Sequence, residues 1–295
     1  MSVPALPRIS GCTFIRNGQL LDYTFIEAAL SLVAVCDEVI VVVGQSRDQT
    51  REAIVALNEP KIRIIDTVWD ETKRQGGVVL AEQTDIALQA ATGDWILYLQ
   101  GDEVYDERTI GQALVGIARH HANPQVEGLL FEYLHFYGSF HYVLPPYAMY
   151  RYEVRAVRRL PGLHSWRDAQ GFRLEGRKLR VKHCGARVFH YGHARSVEAQ
   201  IERNLTASRY WHDDEYLQRH RAELVNFRYD PTRPVLPFTG THPAVMQPRL
   251  ATTVNPYAPQ PDKFVQPPLG KRIRRWMGLN LGWYPFEYRN YRLVR

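Results

Sequence analysis

The sequence predicts an α/β fold in which a mostly parallel sheet is flanked by helices. Three observations predict it. Apolar runs of strand length alternate with segments of helical period through the first part of the chain. The 295 residues, 45% of them hydrophobic, are enough for a substantial core. A stretch from 231 to 268 contains ten prolines, which predicts an extended, Pro-rich C-terminal segment without helices or central strands.

The predicted elements follow in order along the chain. Residues 37–44 form a continuous apolar run, which is typical of a strand buried on both faces. Ser46 and Asp48 are candidate caps of the helix that follows. The predicted strands are Ile9–Ile15, 37–44, 61–66, 94–99 and 127–138. The predicted helices are 20–35, 46–57, 78–91, 110–121 and 196–211.

Four carboxylates follow the fourth predicted strand within six positions: Asp102, Glu103, Asp106 and Glu107. Asp106 and Glu107 suit the beginning of the next helix, where negative charge is favourable. Asp102 comes directly after the strand, at the edge of a parallel sheet where ligands bind. A hard divalent cation prefers such an oxygen ligand together with phosphate oxygens and water. Asp102 is therefore the predicted metal ligand.

Three stretches together resemble family 2 glycosyltransferases with the GT-A fold: "RNG", "DEVIVVVGQSRDQT" and "ALQAATGDWILYLQGDE". The resemblance covers residues 8–107 and extends more loosely to about 212. It implies a GT-A-like, Rossmann-type sheet. Gln100, Gly101 and Asp102 occupy the three places of the family's metal-binding DXD region, and Gln100 departs from it. Val43 stands where the family usually has an Asp that reads the base.

The resemblance implies a metal-dependent, inverting glycosyltransferase of the hexosyltransferase type. It would use Mn²⁺ or Mg²⁺ and move a sugar from a nucleotide-sugar donor, UDP-linked by default, to a hydroxyl acceptor. That acceptor is a glycan, a lipid-linked compound or a small molecule. Residues 1–125 would bind the donor, residues 126–230 would form the acceptor-binding and catalytic half, and residues 231–295 would form the Pro-rich segment and a basic aromatic tail.

The implied site has three parts. Asp168 is the predicted general base that deprotonates the acceptor, with Glu153 in reserve. His190 is the predicted second metal ligand, with His193 as the alternative and His135 and Tyr137 as candidates to contact the sugar. The predicted donor-binding residues are Ser46, Asp48, Lys73, Arg74, Gln83, Gln100 and Gly101.

The C-terminal tail carries the net charge of +6, because residues 271–295 contain seven Lys or Arg and one acid. The rest of the chain is neutral, which disfavours nucleic-acid binding. We expect the tail to dock on the domain or a second subunit, or else to contact an anionic membrane surface. The three cysteines predict neither a disulfide framework nor a zinc site, and they favour a cytoplasmic protein. A sugar nucleotidyltransferase and a non-catalytic binding protein on the same fold remain alternatives.

Overall fold

The computed structural model describes residues 6–253, 257–264, 268–285 and 287–294. Its larger sheet has β1 to β8 and β12 to β14, and its smaller one has β9 to β11. The strands are β1 (Ile9–Ile15), β2 (Glu38–Gly44), β3 (Ile62–Thr67), β4 (Trp95–Tyr98), β5 (Glu103–Tyr105), β6 (Gly128–Tyr137), β7 (Ser139–Val143), β8 (Tyr152–Arg158), β9 (Leu163–Trp166), β10 (Gly171–Leu174), β11 (Arg177–Lys178), β12 (Arg180–His193), β13 (Leu236–Pro237) and β14 (Arg292–Leu293).

Helices cover both faces of the larger sheet. They are α1 (Phe25–Val33), α2 (Thr50–Val55), α3 (Val78–Ala90), α4 (Ile110–His120), α5 (Val197–Ser208), α6 (Asp214–Val225), α7 (Gln247–Thr252) and α8 (Leu269–Leu281). Side chains of β2 alternate between the two faces, as the period of a strand requires. Val39, Val41 and Val43 pack in the core beneath α1 and α4, whereas Ile40 and Val42 pack in the core beneath α3.

The parallel half of the sheet confirms the predicted fold class. Strands β3, β2, β1 and β4 lie side by side in that order, and every neighbouring pair among them is parallel. Ile15 at the end of β1 pairs with Val43 near the end of β2. Because parallel strands end at the same edge, the loops after β1, β2 and β4 meet there. Asp102 lies in the loop after β4.

The other half of the sheet brings a histidine to that loop. β8 runs antiparallel to both β4 and β6. β12 lies parallel to β6 and antiparallel to the short β5 that follows Asp102. His190 on β12 consequently pairs with Glu103 on one side and with His135 on the other.

Two details differ from the sequence predictions. The first helix begins at Phe25 instead of at residue 20, because Asp22 has a positive φ of 48° that ends the turn before it. The Pro-rich segment contains α7, with Pro248 in its first turn, where proline is tolerated. Residues 254–256 and 265–267 of that segment lie outside the described residues.

The C-terminal tail docks on the domain after α8. β14 pairs with β12, and both Asn290 and Tyr291 are buried. Glu287 accepts two hydrogen bonds from Arg151, at 2.8 and 2.9 Å. Among the helices of the described residues, none combines the length and the apolar character that crossing a bilayer requires.

Candidate functional site

A cavity of about 360 Å³ opens at the edge where β1 and β4 end. Side chains from both halves of the sheet and from α5 line it. The lining residues include Phe14, Arg16, Trp69, Gln100, Gly101, Asp102, Tyr150, Glu153, Asp168, Gln170, His190, His193, Arg203 and Tyr210. Seven of the residues singled out from the sequence for catalysis, metal binding or donor binding therefore meet in one place: Gln100, Gly101, Asp102, Glu153, Asp168, His190 and His193.

Asp102 is buried, with 6% of its surface exposed. Its Oδ2 lies 3.8 Å from Nε2 of His190 and 3.8 Å from a terminal nitrogen of Arg195. Both distances are too long for a hydrogen bond. A Cβ placed on Gly192 would lie 2.7 Å from the same Oδ2 and 2.6 Å from Nε2 of His190, so a glycine is needed to keep this space open.

A chain of hydrogen bonds determines which nitrogen of His190 carries the proton. Nε2 of His135 lies 2.7 Å from the carbonyl oxygen of Tyr150, which can only accept, so this nitrogen is the donor. Burial lowers the pKa of His135 to about 3, so its ring is neutral and its Nδ1 accepts. Nδ1 of His190 lies 2.9 Å from it and must donate. Burial also lowers the pKa of His190, which leaves its Nε2 without a proton, facing Asp102.

Glu103 has a structural role beside Asp102. Burial alone would raise the pKa of this fully enclosed carboxyl group, but the charge of Arg155 and two hydrogen bonds of 2.8 Å from it keep the pKa low. The hydroxyl of Tyr133 and the backbone amide of Gln100 donate two more, at 2.8 and 3.0 Å. Glu103 therefore holds the loop after β4 in place and leaves Asp102 free to bind a ligand.

Two arginines bring positive charge to the same region. Arg195 is 1% exposed; it donates to the carbonyl of Leu21 and lies over the ring of Tyr23, at 4.6 Å. Arg203 extends from α5 into the cavity. The buried Nε of each arginine has no hydrogen-bond partner among the described residues. Unpaired buried donors of this kind are costly, and an anionic ligand would satisfy them.

Two carboxylates in the cavity also have an unpaired oxygen. Oδ1 of Asp168 and Oε2 of Glu153 are buried and have no hydrogen-bond partner within the described part of the chain. Burial raises the pKa of Asp168 above its usual range. Burial raises the pKa of Glu153 to about 8, although the nearby Arg155 opposes this shift. Both groups can exchange protons with a bound molecule.

Aromatic side chains form the end of the cavity near β1. The ring of Trp69 lies 6.0 Å from that of Phe14 and 5.6 Å from that of Tyr210. The guanidinium of Arg16 lies 5.3 Å from the Trp69 ring. Flat apolar faces beside a cation suit a heterocyclic base followed by phosphate.

The sequence profile described as Glycosyl transferase family 2 matches residues 24–126, which run from the start of α1 past α4 and include Asp102. Over this segment, about a third of its length, the chain is similar to glycosyl transferase family 2. No curated protein matches the chain in sequence.

Solved structures with glycosyltransferase titles are similar over less than half of the chain. S. aureus TarS 1-349 in complex with UDP-GlcNAc is 22% identical over 44% of this chain and 35% of that one, with a TM-score of 0.35. The mannosyltransferase PcManGT from Pyrobaculum calidifontis, in complex with GDP-Man and Mn²⁺, is 20% identical over 43% and 35%, with a TM-score of 0.32. The chain matches about a third of the length of these proteins.

Several predicted donor-binding residues lie outside this cavity. Asp48 accepts hydrogen bonds from the backbone amides of Leu20, at 2.7 Å, and of Thr50, at 3.0 Å, whereas the N-cap residue of α2 is Gln49. Ser46 accepts from the amide of Asn17, at 2.9 Å. Both side chains therefore connect the loop after β1 to the loop after β2. Their contact with a donor stays a prediction.

The predicted donor-binding residues near α3 do not line this cavity either. Lys73 pairs with Glu82, and Arg74 pairs with Asp214 on α6. Gln83 is buried and accepts a hydrogen bond of 2.7 Å from Thr67. These partners use the polar groups that a phosphate would need, so the structure adds no support for a phosphate site there.

The remaining predicted residues have distinct environments. Gln100 donates to the carbonyl of Ala169, at 3.1 Å, and so faces the segment that carries Asp168. His193 lines the cavity, and burial keeps its pKa well below the usual value. His135 lies behind His190, and Tyr137 is buried and accepts a hydrogen bond from the amide of Asp230.

A second cavity, of about 770 Å³, adjoins the first. The two share Met149, Tyr150, Glu153 and Gln170. The far wall of the second cavity is formed by α8 and the residues after it, including Arg275 and Tyr284. Glu153 therefore lies between a polar cavity with Asp102 and a larger one bounded by the C-terminal tail.

Proposed function

We propose that the chain is a metal-dependent, inverting glycosyltransferase of the hexosyltransferase type. It transfers a sugar from a nucleotide-sugar donor to a hydroxyl acceptor. The observation that carries this proposal is the distance of 3.8 Å between Nε2 of His190 and Oδ2 of Asp102, at a cavity whose Asp102 lies in the segment similar to glycosyl transferase family 2. Residues 1–125 bind the donor in this proposal, and residues 126–230 supply the acceptor side.

Asp102 and His190 are suited to hold Mn²⁺ or Mg²⁺. A carboxylate oxygen and a bare imidazole nitrogen are ligands that these ions accept, and no proton lies between the two. Within the described residues, no group of three His, Cys, Asp or Glu is arranged to hold a metal. Phosphate oxygens of the donor would therefore complete the coordination, as is common for magnesium. When bound, the cation would stabilise negative charge on the departing nucleoside diphosphate.

The donor extends from the aromatic end of the cavity towards Asp102 in this proposal. Its base stacks against Trp69 and Tyr210, and Arg203 donates to its phosphates. Gly101 permits close approach of the backbone, because a Cβ there would already contact Ile15, at 2.8 Å. UDP is the default nucleotide that the resemblance implies, although Val43 lacks the polar groups that would select uracil.

Asp168 is the proposed general base. Its unpaired Oδ1 accepts the proton of the acceptor hydroxyl while the acceptor oxygen bonds to C1 of the sugar. The bond from C1 to the diphosphate oxygen breaks at the same time, on the opposite face of the sugar. The configuration at C1 is therefore inverted.

Glu153 is the second candidate for the base, because it lies where the two cavities meet. The pH dependence separates the two candidates. A base with a pKa of about 8 makes the rate rise through that pH, as its carboxyl ionises. With Asp168 as base, the rise occurs at more acidic pH. A pH profile of kcat/KM for the wild type and for Glu153→Gln distinguishes these outcomes.

A thermal-shift panel tests the proposal without knowledge of the acceptor. UDP, GDP, CDP and dTDP are added with and without Mn²⁺ to the wild type and to Asp102→Asn. A diphosphate at about one hundred times its Kd stabilises the fold by roughly 2.7 kcal/mol. We expect one diphosphate to raise Tm only with Mn²⁺, and this effect to be absent in Asp102→Asn.

The matched control is Asp66→Asn, which changes an exposed carboxylate outside the cavity and should respond like the wild type. No response of the wild type to any diphosphate would favour a non-catalytic binding protein on this fold. A rise in Tm that does not require Mn²⁺ would show that nucleotide binding does not depend on a metal at Asp102.

A further inference from the structure

Helix α8 exposes its apolar face to solvent. Leu269, Ile273 and Trp276 follow one another at the i, i+4 and i+7 positions and so form one stripe. They are 68%, 50% and 58% exposed, respectively. Trp283, just beyond the helix, is 58% exposed as well. Most surface helices instead turn such a stripe towards the core.

The opposite side of α8 contacts the protein. Gly278 lies about 180° around the helix from Leu269, at 3.6 residues per turn. A Cβ on Gly278 would clash with the ring of Tyr284, so the segment after α8 folds back against this side of the helix, and Tyr284 in turn lies against Arg151. The guanidinium of Arg275 lies 4.6 Å from the ring of Tyr147. Packing on the domain therefore fixes α8 with its apolar stripe outwards.

The charge around this stripe is positive. Residues 271–295 contain seven Lys or Arg, and their single acid, Glu287, is paired with Arg151. Arg272 on α8 and Arg289 after it are exposed. An apolar stripe with Trp, flanked by arginines, matches a bilayer surface that contains anionic lipids. Two copies meeting through this stripe would instead bring two positive tails together, which is unfavourable.

The position of α8 connects this surface to the candidate site. Arg274 and Arg275 line the second cavity, together with Tyr147 and Tyr284. At its inner end this cavity reaches Glu153, which also lines the cavity of Asp102. A bilayer in contact with α8 would therefore lie beside the opening of the second cavity.

We propose that the chain docks on anionic membranes through the exposed stripe of α8, defined by Leu269, Ile273 and Trp276. The second cavity then opens at the level of the lipid headgroups. If the function proposed above holds, on which this last step rests, the acceptor is a hydroxyl compound anchored in the membrane. Docking itself depends only on α8 and its charges.

Vesicle flotation tests the docking step with the full chain. The probes are vesicles of phosphatidylcholine alone and vesicles of phosphatidylcholine with an equal part of phosphatidylglycerol. The variant Ile273→Glu/Trp276→Glu places two carboxylates on the stripe. Its matched control is Val55→Glu/Val115→Glu, which makes the same charge change at positions that are 52% and 58% exposed on α2 and α4.

We expect the wild type and the control to bind the anionic vesicles, and the α8 variant to bind at least tenfold more weakly. Binding should fall with added salt and be weak on neutral vesicles. Equal binding of both variants, or no binding of the wild type, overturns the proposal. A wild-type dimer in light scattering that Ile273→Glu/Trp276→Glu converts to a monomer would show that a second copy covers the stripe instead.

The diphosphate thermal shift is measured on the same preparations without vesicles. It should be the same in the wild type and in both double variants, because none of the four changed residues lines the cavity of Asp102. Loss of flotation with an intact thermal shift therefore concerns docking alone. An absent thermal shift in the wild type with intact flotation would instead refute the proposed function and leave docking in place.

Discussion

Replacing Glu153 by Gln should make the protein more stable at alkaline pH. Glu153 lies on β8 with 7% of its surface exposed, and its buried Oε2 has no hydrogen-bond partner among the described residues. Burial raises the pKa of this carboxyl from 4.5 to about 8. Glutamine has the shape of the protonated acid and cannot ionise.

The size of the effect follows from the two pKa values. The folded protein holds the proton of Glu153 more tightly than the unfolded chain does, so ionisation favours unfolding as the pH rises above 4.5. The resulting loss of stability is complete above the pKa of about 8 that Glu153 has in the folded protein. The resulting cost to the free energy of unfolding grows from about 1 kcal/mol at pH 5 to about 5 kcal/mol at pH 9.

Urea unfolding at pH 5, 7 and 9 measures this cost as the difference between the wild type and Glu153→Gln. Contributions of other titrating groups are common to both proteins and cancel. Glu132→Gln is the control, because it makes the same substitution at a side chain that is 43% exposed. If the wild type and Glu153→Gln differ by the same free energy at all three pH values, Glu153 does not have a raised pKa.

Three further predictions concern the cavity. Asp168→Asn should lower kcat, measured by release of the diphosphate, roughly 10²- to 10⁴-fold and leave the affinity for the donor unchanged. An unchanged kcat would exclude Asp168 as the base. Gly192→Ala should abolish the Mn²⁺-dependent thermal shift, because its Cβ would lie 2.6 Å from Nε2 of His190, while circular dichroism stays native. Arg203→Gln should weaken binding of the diphosphate about tenfold or more in titration calorimetry, because a charged hydrogen bond is lost. Equal affinity of the variant and the wild type would show that Arg203 does not bind the phosphates.

The part of the fold that depends on local patterns could be predicted from the sequence. β2 and β4 are short apolar runs, which are typical of parallel strands buried on both faces. The position of Asp102 at the sheet edge followed from its place directly after β4. His190 was predicted from the resemblance alone, and the structure places it 3.8 Å from Asp102.

Contacts between distant segments could not be predicted in the same way. Lys73 and Arg74 follow β3 in the chain, but their charges pair with Glu82 and Asp214, which no local pattern reveals. Arg203 and Tyr210 were missed, although they lie seven residues apart and so share one face of a helical segment. Only the packing of that segment over the sheet edge brings this face into the cavity.

The strands after residue 139 were also missed, for a different physical reason. β8 to β10 are only four to seven residues long and lie in a region rich in Arg, Tyr and His. Buried charged side chains on β8, such as Arg155 paired with Glu103, interrupt the apolar alternation by which a strand is recognised.

The central claim is that Asp102 and His190 together hold a divalent cation against a nucleoside diphosphate. Crystals grown with Mn²⁺ and the diphosphate that binds most tightly test it directly, through the anomalous scattering of manganese. The account predicts one strong anomalous peak between the carboxylate of Asp102 and Nε2 of His190, in contact with a phosphate oxygen. A diphosphate bound in the cavity with no manganese at these two side chains would contradict it.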